Sequence, residues 1–187
     1  FVLPFGFLLS VFALLVSYLG QMNPQITPLM PVLVSPWLSI HVSLIMMSYA
    51  LLAFIMLNGI LALCLRKKES ENNVSGNDAI QDNRIEQLTL VSRLLLYPAT
   101  FFLGAGIFLG AVWANVSWGR YWAWDPKEVW ALITFLVYGV AFHSQSLRIF
   151  RKPLFFHIYM ILAFLTVLMT YFGVNYVLGG MHSYANA

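Results

Sequence analysis

The stretch WLSIHVSLIMMSYALLAFIMLNGILALCL, from Trp37 to Leu65, contains no Asp, Glu, Lys or Arg. About 20 such residues in a helix cross the hydrocarbon core of a bilayer, so this run reads as a membrane span beginning near His41. The same reading applies outward in both directions. Phe1–Gly20 is also free of charge, and further apolar runs cover Leu94–Ala114, about Val129–Leu147 and about Pro153–Leu178. The expectation is an all-α, polytopic membrane helix bundle with about five transmembrane helices, forming a single membrane domain over residues 1–187.

Composition supports this. The chain is 60% hydrophobic and 9% charged, whereas a soluble domain carries about a quarter charged residues. In water such a surface would be one continuous apolar patch; in lipid an apolar exterior is the stable one. One cysteine, Cys64, excludes a disulfide framework, CxxC redox chemistry and a CxxCH haem-attachment sequence of the chain's own. The formal net charge of +3 does not point to nucleic acid, because the basic residues flank hydrophobic runs and act as topology signals.

Four connections separate the spans. Gln21–Pro36 holds Pro24, Pro28, Pro31 and Pro36, which argues for an ordered loop over a long helix. Arg66–Arg93 is the long polar stretch, expected to be flexible at its start with room for a short helix around Ile80–Leu90. Asn115–Pro126 is short and aromatic, Leu147–Lys152 short and basic. Eight of the ten Lys and Arg residues fall in the second and fourth connections. Alternation of five spans puts those two connections on one side, which the positive-inside rule makes cytoplasmic. Residues 66–93 are then a cytoplasmic loop, and the aromatic segment 113–130 and the C-terminus face outwards.

That segment reads Trp113-Ala-Asn-Val-Ser-Trp118-Gly119-Arg120-Tyr121-Trp122-Ala-Trp124-Asp125-Pro126-Lys127-Glu128-Val-Trp130, with five of the chain's six tryptophans within 18 residues. An interfacial aromatic belt would spread its rings over several helices and both faces. Gly119 permits a turn or a close ligand approach. Asp125-Pro126 reads as a helix start, N-cap then first position, with Glu128 in the first turn. Those residues therefore have an adequate structural explanation; the tryptophans do not. Indole rings beside a few charges suit a large, flat, apolar ligand with polar ends. Haem fits, with propionates for Arg120 or Lys127 to meet.

Haem iron takes neutral imidazole as an axial ligand. His41 lies after Pro36-Trp37 at the outer mouth of the second span, and His182 after Gly179-Gly180 beyond the outer end of the fifth. Both are expected at the level of the tryptophans. His143 lies about 24 Å beyond Lys127 along a helix, where an ionisable residue is a functional candidate. His157, beside Lys152 and Pro153, is expected to be a residue of the cytoplasmic interface.

Trp118-Gly-x-x-Trp122-x-Trp124-Asp125-Pro126-Lys127-Glu128 resembles the tryptophan-rich WWD signature of haem-handling cytochrome c biogenesis proteins. Ser35-Pro36-Trp37-Leu38-x-x-His41 and Gly179-Gly180-Met181-His182-Ser183-Tyr184 resemble the CcsA (ResC) branch of the system II cytochrome c synthase. The resemblance implies that His41 and His182 ligate the iron of haem b beside Trp113, Trp118, Gly119, Arg120, Trp122, Trp124 and Asp125, and that His143 belongs to a transmembrane haem site. It also implies delivery of haem to an apocytochrome c CxxCH motif on the outer face of a bacterial inner membrane or thylakoid membrane. The family's second transmembrane histidine is then expected upstream of Phe1 or on a CcsB/ResB-like partner, the chain being the C-terminal part of a larger synthase. Competing expectations are a loader of a haem chaperone, a cytochrome b-type electron-transfer subunit, and an exporter gated by aromatic rings.

Overall fold

The structure, a computed structural model, describes residues 35–71 and 78–178, together with Gly6, Phe7, Ser10 and Val11. The chain divides into two compact units, Phe1–Val34 and Ser35–Ala187. In the first, the four described residues are helical and Ser10 donates to the Gly6 carbonyl at 2.9 Å. The rest of the expected span Phe1–Gly20, and the proline-rich connection up to Val34, lie outside the described residues.

The second unit is built from four α-helices, α1 (Pro36–Glu71), α2 (Asp78–Trp118), α3 (Pro126–Val140) and α4 (Pro153–Leu168). Two 3₁₀ segments, Ala141–Gln145 and Arg148–Arg151, join α3 to α4, and α4 continues as a π-helix over Met169–Leu178. Prolines open α1, α3 and α4, where the missing N–H costs nothing and φ is already helical. Pro36–Arg66, Asn83–Trp118 and Pro153–Leu178 are each long and apolar enough to cross a membrane. They correspond to the second, third and fifth expected spans, so the described part is an all-α membrane bundle.

Two boundaries differ from expectation. The polar stretch Arg66–Arg93 is helical at both ends: α1 runs on to Glu71 and α2 begins at Asp78. Helices that leave the bilayer keep their backbone bonds in water, so charge in the sequence marks the membrane edge and not the helix end. The fourth expected span, Val129–Leu147, is α-helical only to Val140. The 3₁₀ segment that follows is broken at His143, whose φ −83 and ψ 27 are non-helical, so α3 and this segment do not form one straight rod.

Helix α1 packs along both α2 and α4. Leu52, Ile55, Leu96, Ala99, Tyr138 and Met160 form the centre of the core. In lipid the hydrophobic effect does not draw helices together, so close packing over small residues and interhelical hydrogen bonds must do it. Gly59 lies against α4, where an added Cβ would sit 3.2 Å from the His157 carbonyl. Ser48 donates to the Ala99 carbonyl at 2.8 Å, Asn58 to Ser92 at 3.3 Å, and the Thr134 and Thr170 hydroxyls meet at 3.2 Å. Pro98 interrupts the ladder of α2, and Thr100 beside it donates to the Leu96 carbonyl at 2.7 Å. Phe101, Phe108, Leu162 and Leu165 remain exposed.

Candidate functional site

Two interhelical contacts define one end of the unit. His41, in the second turn of α1, meets Gly106 and Gly110 near the end of α2. Lys127, in the first turn of α3, donates from Nζ to Asn175 Oδ1 at 2.8 Å near the end of the π-helix. The aromatic connection between α2 and α3 therefore sits at the same end as His41. His182 lies outside the described residues.

His41 is half-buried, and its Nδ1 donates to the Gly106 carbonyl at 2.7 Å. A carbonyl only accepts, so the proton is fixed on Nδ1, and in the neutral ring the lone pair is on Nε2. A histidine that binds metal through one nitrogen is commonly oriented in this way through the other. The approach depends on glycine. A Cβ on Gly110 would stand 2.7 Å from His41 Cε1, and one on Gly106 2.6 Å from Ile45 Cδ1. Gly106 and Gly110 were not among the expected site residues, although the Gly-x-x-x-Gly spacing of a helix-packing face was there to be seen.

The expected aromatic loop is only partly a loop. Trp113 and Trp118 lie on the last turns of α2, Trp130 on α3, and only Gly119–Asp125 is non-helical. Gly119 closes α2 as a left-handed cap, with φ +73 and its N–H donating to the Asn115 carbonyl at 2.8 Å. Trp113 is 1% exposed and packs edge-on to Trp118 at 4.8 Å, so it belongs to the core. Trp122 and Trp124 also meet edge-on, at 6.0 Å. Trp124 is 72% exposed on a backbone with φ +57. That conformation is an outlier for a bulky residue and costs on the order of 1–3 kcal/mol. The strain turns a large apolar ring out of the protein at a point where burial gives no return.

The charges around the rings divide the same way. Asp125 is buried and caps α3, accepting from the Lys127 N–H at 3.2 Å. Glu128 completes the capping box by accepting from the N–H groups of Asp125 at 3.2 Å and Ala123 at 2.8 Å. Asp125 and Glu128 thus have the structural roles their spacing suggests. Burial lowers the pKa of Lys127, with the charge of Asp125 opposing the shift. Arg120 is exposed on the connection.

The other two histidines lie towards the opposite end. His143 is exposed within the 3₁₀ segment after α3, its Nδ1 3.2 Å from the Gly139 carbonyl. His157 is not the interface residue expected from sequence. It is wholly buried among the helices, with Nε2 2.9 Å from Thr89 Oγ1. The Thr89 hydroxyl donates to the Ile85 carbonyl at 2.7 Å, so its oxygen accepts from Nε2–H. His157 Nδ1 is buried without a hydrogen-bond partner.

Residues 1–182 match the family model described as cytochrome C assembly protein. Over 185 residues the chain is 40% identical to protein NrfI of Wolinella succinogenes, covering 99% of this chain and 20% of that protein. It is 39% identical over 183 residues to the cytochrome c biogenesis protein CcsA of Chlamydomonas reinhardtii, covering 97% and 49%. To CcsA of Guillardia theta it is 36% identical over 182 residues, covering 89% and 60%. The chain spans from a fifth to three-fifths of the length of these relatives. It belongs to the cytochrome c assembly protein family.

Proposed function

We propose, from that membership and from the geometry around His41, that the chain holds haem b as cargo and presents it for covalent attachment to apocytochrome c. The observation that carries this reading is the His41 imidazole, locked by the Gly106 carbonyl into the tautomer whose lone pair is on Nε2, at the end that bears the tryptophans. Haem fits the residues present. Trp118, Trp122 and Trp124 offer partly or largely exposed rings for a flat macrocycle, Arg120 a cation for a propionate, and His41 an imidazole for iron.

In this reading His41 and His182 would hold the iron. The aromatic connection would hold the porphyrin. The apocytochrome supplies the CxxCH cysteines, whose S–H bonds add across the two vinyl groups to give thioethers. The chain's own contribution is to bind, orient and exclude water, since the bond-making belongs to haem and thiol. It would form part of a cytochrome c synthase in a bacterial inner membrane or thylakoid membrane, with the aromatic end on the outer side. His143, exposed at an irregular helix end, is read as one ligand of a second haem site within the membrane. Its counterpart would come from a CcsB/ResB-like protein or from sequence beyond this chain.

The test is haem copurification and the visible spectrum of the full-length protein, with maturation of a reporter cytochrome c. His41→Ala and His182→Ala are each expected to lose the outer site's share of the six-coordinate, low-spin spectrum, and to lose maturation. Both variants keeping wild-type spectra and activity would end the ligand assignment. Haem loss with maturation intact would instead favour an electron-transfer haem unrelated to assembly.

A further inference from the structure

Helix α3 does not end in the ordinary way. In an α-helix the N–H of Ala141 would bond four residues back, to Val137; it bonds to the carbonyls of Tyr138 and Gly139 instead. The change opens the 3₁₀ segment Ala141–Gln145 and releases the Val137 carbonyl from its helical donor. A backbone carbonyl inside a membrane bundle needs a replacement. Tyr159 on α4 provides it, its hydroxyl donating to the Val137 carbonyl at 2.6 Å. On the far side of His143 a second tether follows: Arg93 on α2 donates to the Phe150 carbonyl at 2.6 Å, and the buried Phe150 ring packs edge-on to Tyr159 at 4.8 Å.

We propose that Tyr159 is the positioning residue for His143, holding the 3₁₀ geometry that aims its imidazole. The proposal rests on the reading of His143 as a haem ligand. The 3₁₀ turn through Ala141 and Phe142, which ends at the non-helical backbone of His143 (φ −83, ψ 27), advances about 120° per residue and the α-helix about 100°. If Val137 recovered the Ala141 N–H and the helix ran on, three residues to His143 would rotate its side chain by about 60° and lower it by roughly 1.5 Å. A ligand turned that far no longer faces the same metal. The Tyr159 hydroxyl is what makes the α-helical alternative unnecessary, because it satisfies the carbonyl that would otherwise pull the helix straight. The ring alone does not do this, since its contacts with Phe150 and Phe155 need no oxygen.

The experiment uses the full-length protein in a His41→Ala background, so that haem at the aromatic end does not mask the second site. Tyr159→Phe keeps the ring and removes only the hydroxyl. It is expected to lower copurified haem roughly tenfold, as loss of an orienting partner does, and to alter the spectrum of what remains. Its unfolding midpoint and far-ultraviolet circular dichroism are expected to match the parent's, which separates a misaimed ligand from a collapsed protein. In the Tyr159→Phe/His143→Ala double variant the loss is expected to equal that of His143→Ala alone. Tyr159→Phe matching its parent in haem content and spectrum, while His143→Ala loses haem, overturns the proposal. So does a loss in the double variant that multiplies the two single losses. If His143→Ala itself keeps its haem, the ligand reading of His143 fails first, and the role of Tyr159 with it.

Discussion

The two ends of the bundle hold histidine in opposite ways. At the aromatic end, His41 rests against α2 where Gly110 has no side chain, and bonds to the Gly106 carbonyl. It is fixed without being enclosed. At the other end, His157 is enclosed completely and bonds to a side-chain hydroxyl on Thr89. The first arrangement orients a half-buried ring through backbone; the second joins helices in a solvent that offers no hydrophobic drive for association. Burial of a histidine in a membrane bundle is therefore weaker evidence of function than a half-exposed ring whose tautomer is fixed by backbone. The strain follows the same division, since the exposed, left-handed Trp124 lies at the end that holds His41.

The comparison breaks most visibly at Gly110. Gly110→Ala puts a methyl 2.7 Å from His41 Cε1, and the clamped ring cannot turn away without losing its bond to Gly106. Haem occupancy of the outer site is expected to fall on the order of 10–100-fold, the usual range for a lost orienting contact, as measured by haem-to-protein ratio. Gly104→Ala is the control: its methyl would meet the edge of the Phe135 ring at 3.0 Å and not His41. Equal loss from both variants would mean that α2 tolerates no bulk anywhere, and that the effect is not specific to His41.

Trp124→Asn separates function from stability. Asn adopts left-handed backbone readily, so thermal stability without haem is expected to hold or rise by about 1 kcal/mol. Haem retention is expected to drop several-fold through loss of the exposed ring, roughly the worth of one aromatic contact. A fall in thermal stability with haem binding unchanged would make Trp124 a structural residue.

Thr89→Val tests the opposite end. It removes the partner of a buried imidazole, at a cost of about 1 kcal/mol in a membrane bundle, and is expected to lower the unfolding midpoint by about 3 °C. The haem spectrum should not change. A changed spectrum would show that His157 communicates with the haem site and would erase the contrast between the ends. Asp125→Ala is expected to cost a similar amount, roughly 1 kcal/mol of stability from the lost cap, without change in haem ligation.

Much of this is legible in the residues themselves. Charge-free runs locate three long helices because lipid leaves little alternative to helix. The capping box at Asp125 and Glu128 is legible because it depends on residues three apart. What escapes is anything set by contacts between distant segments. His157 stands beside Lys152 in sequence and looks interfacial, but the side of the helix on which it falls is decided by Thr89. Trp113 looks like its neighbours in the cluster and is instead core, because α2 carries it inward. The 3₁₀ turn at His143 depends on a hydroxyl from the next helix, which no local pattern in α3 announces.

The central claim is that His41 Nε2 ligates haem iron. Near-infrared magnetic circular dichroism of ferric haem in the full-length protein reads axial ligands directly. The wild type is expected to show the band of paired imidazoles, His41→Ala to lose the outer site's share of it, and added imidazole to bring that share back. The same imidazole band at full strength in untreated His41→Ala would contradict the claim.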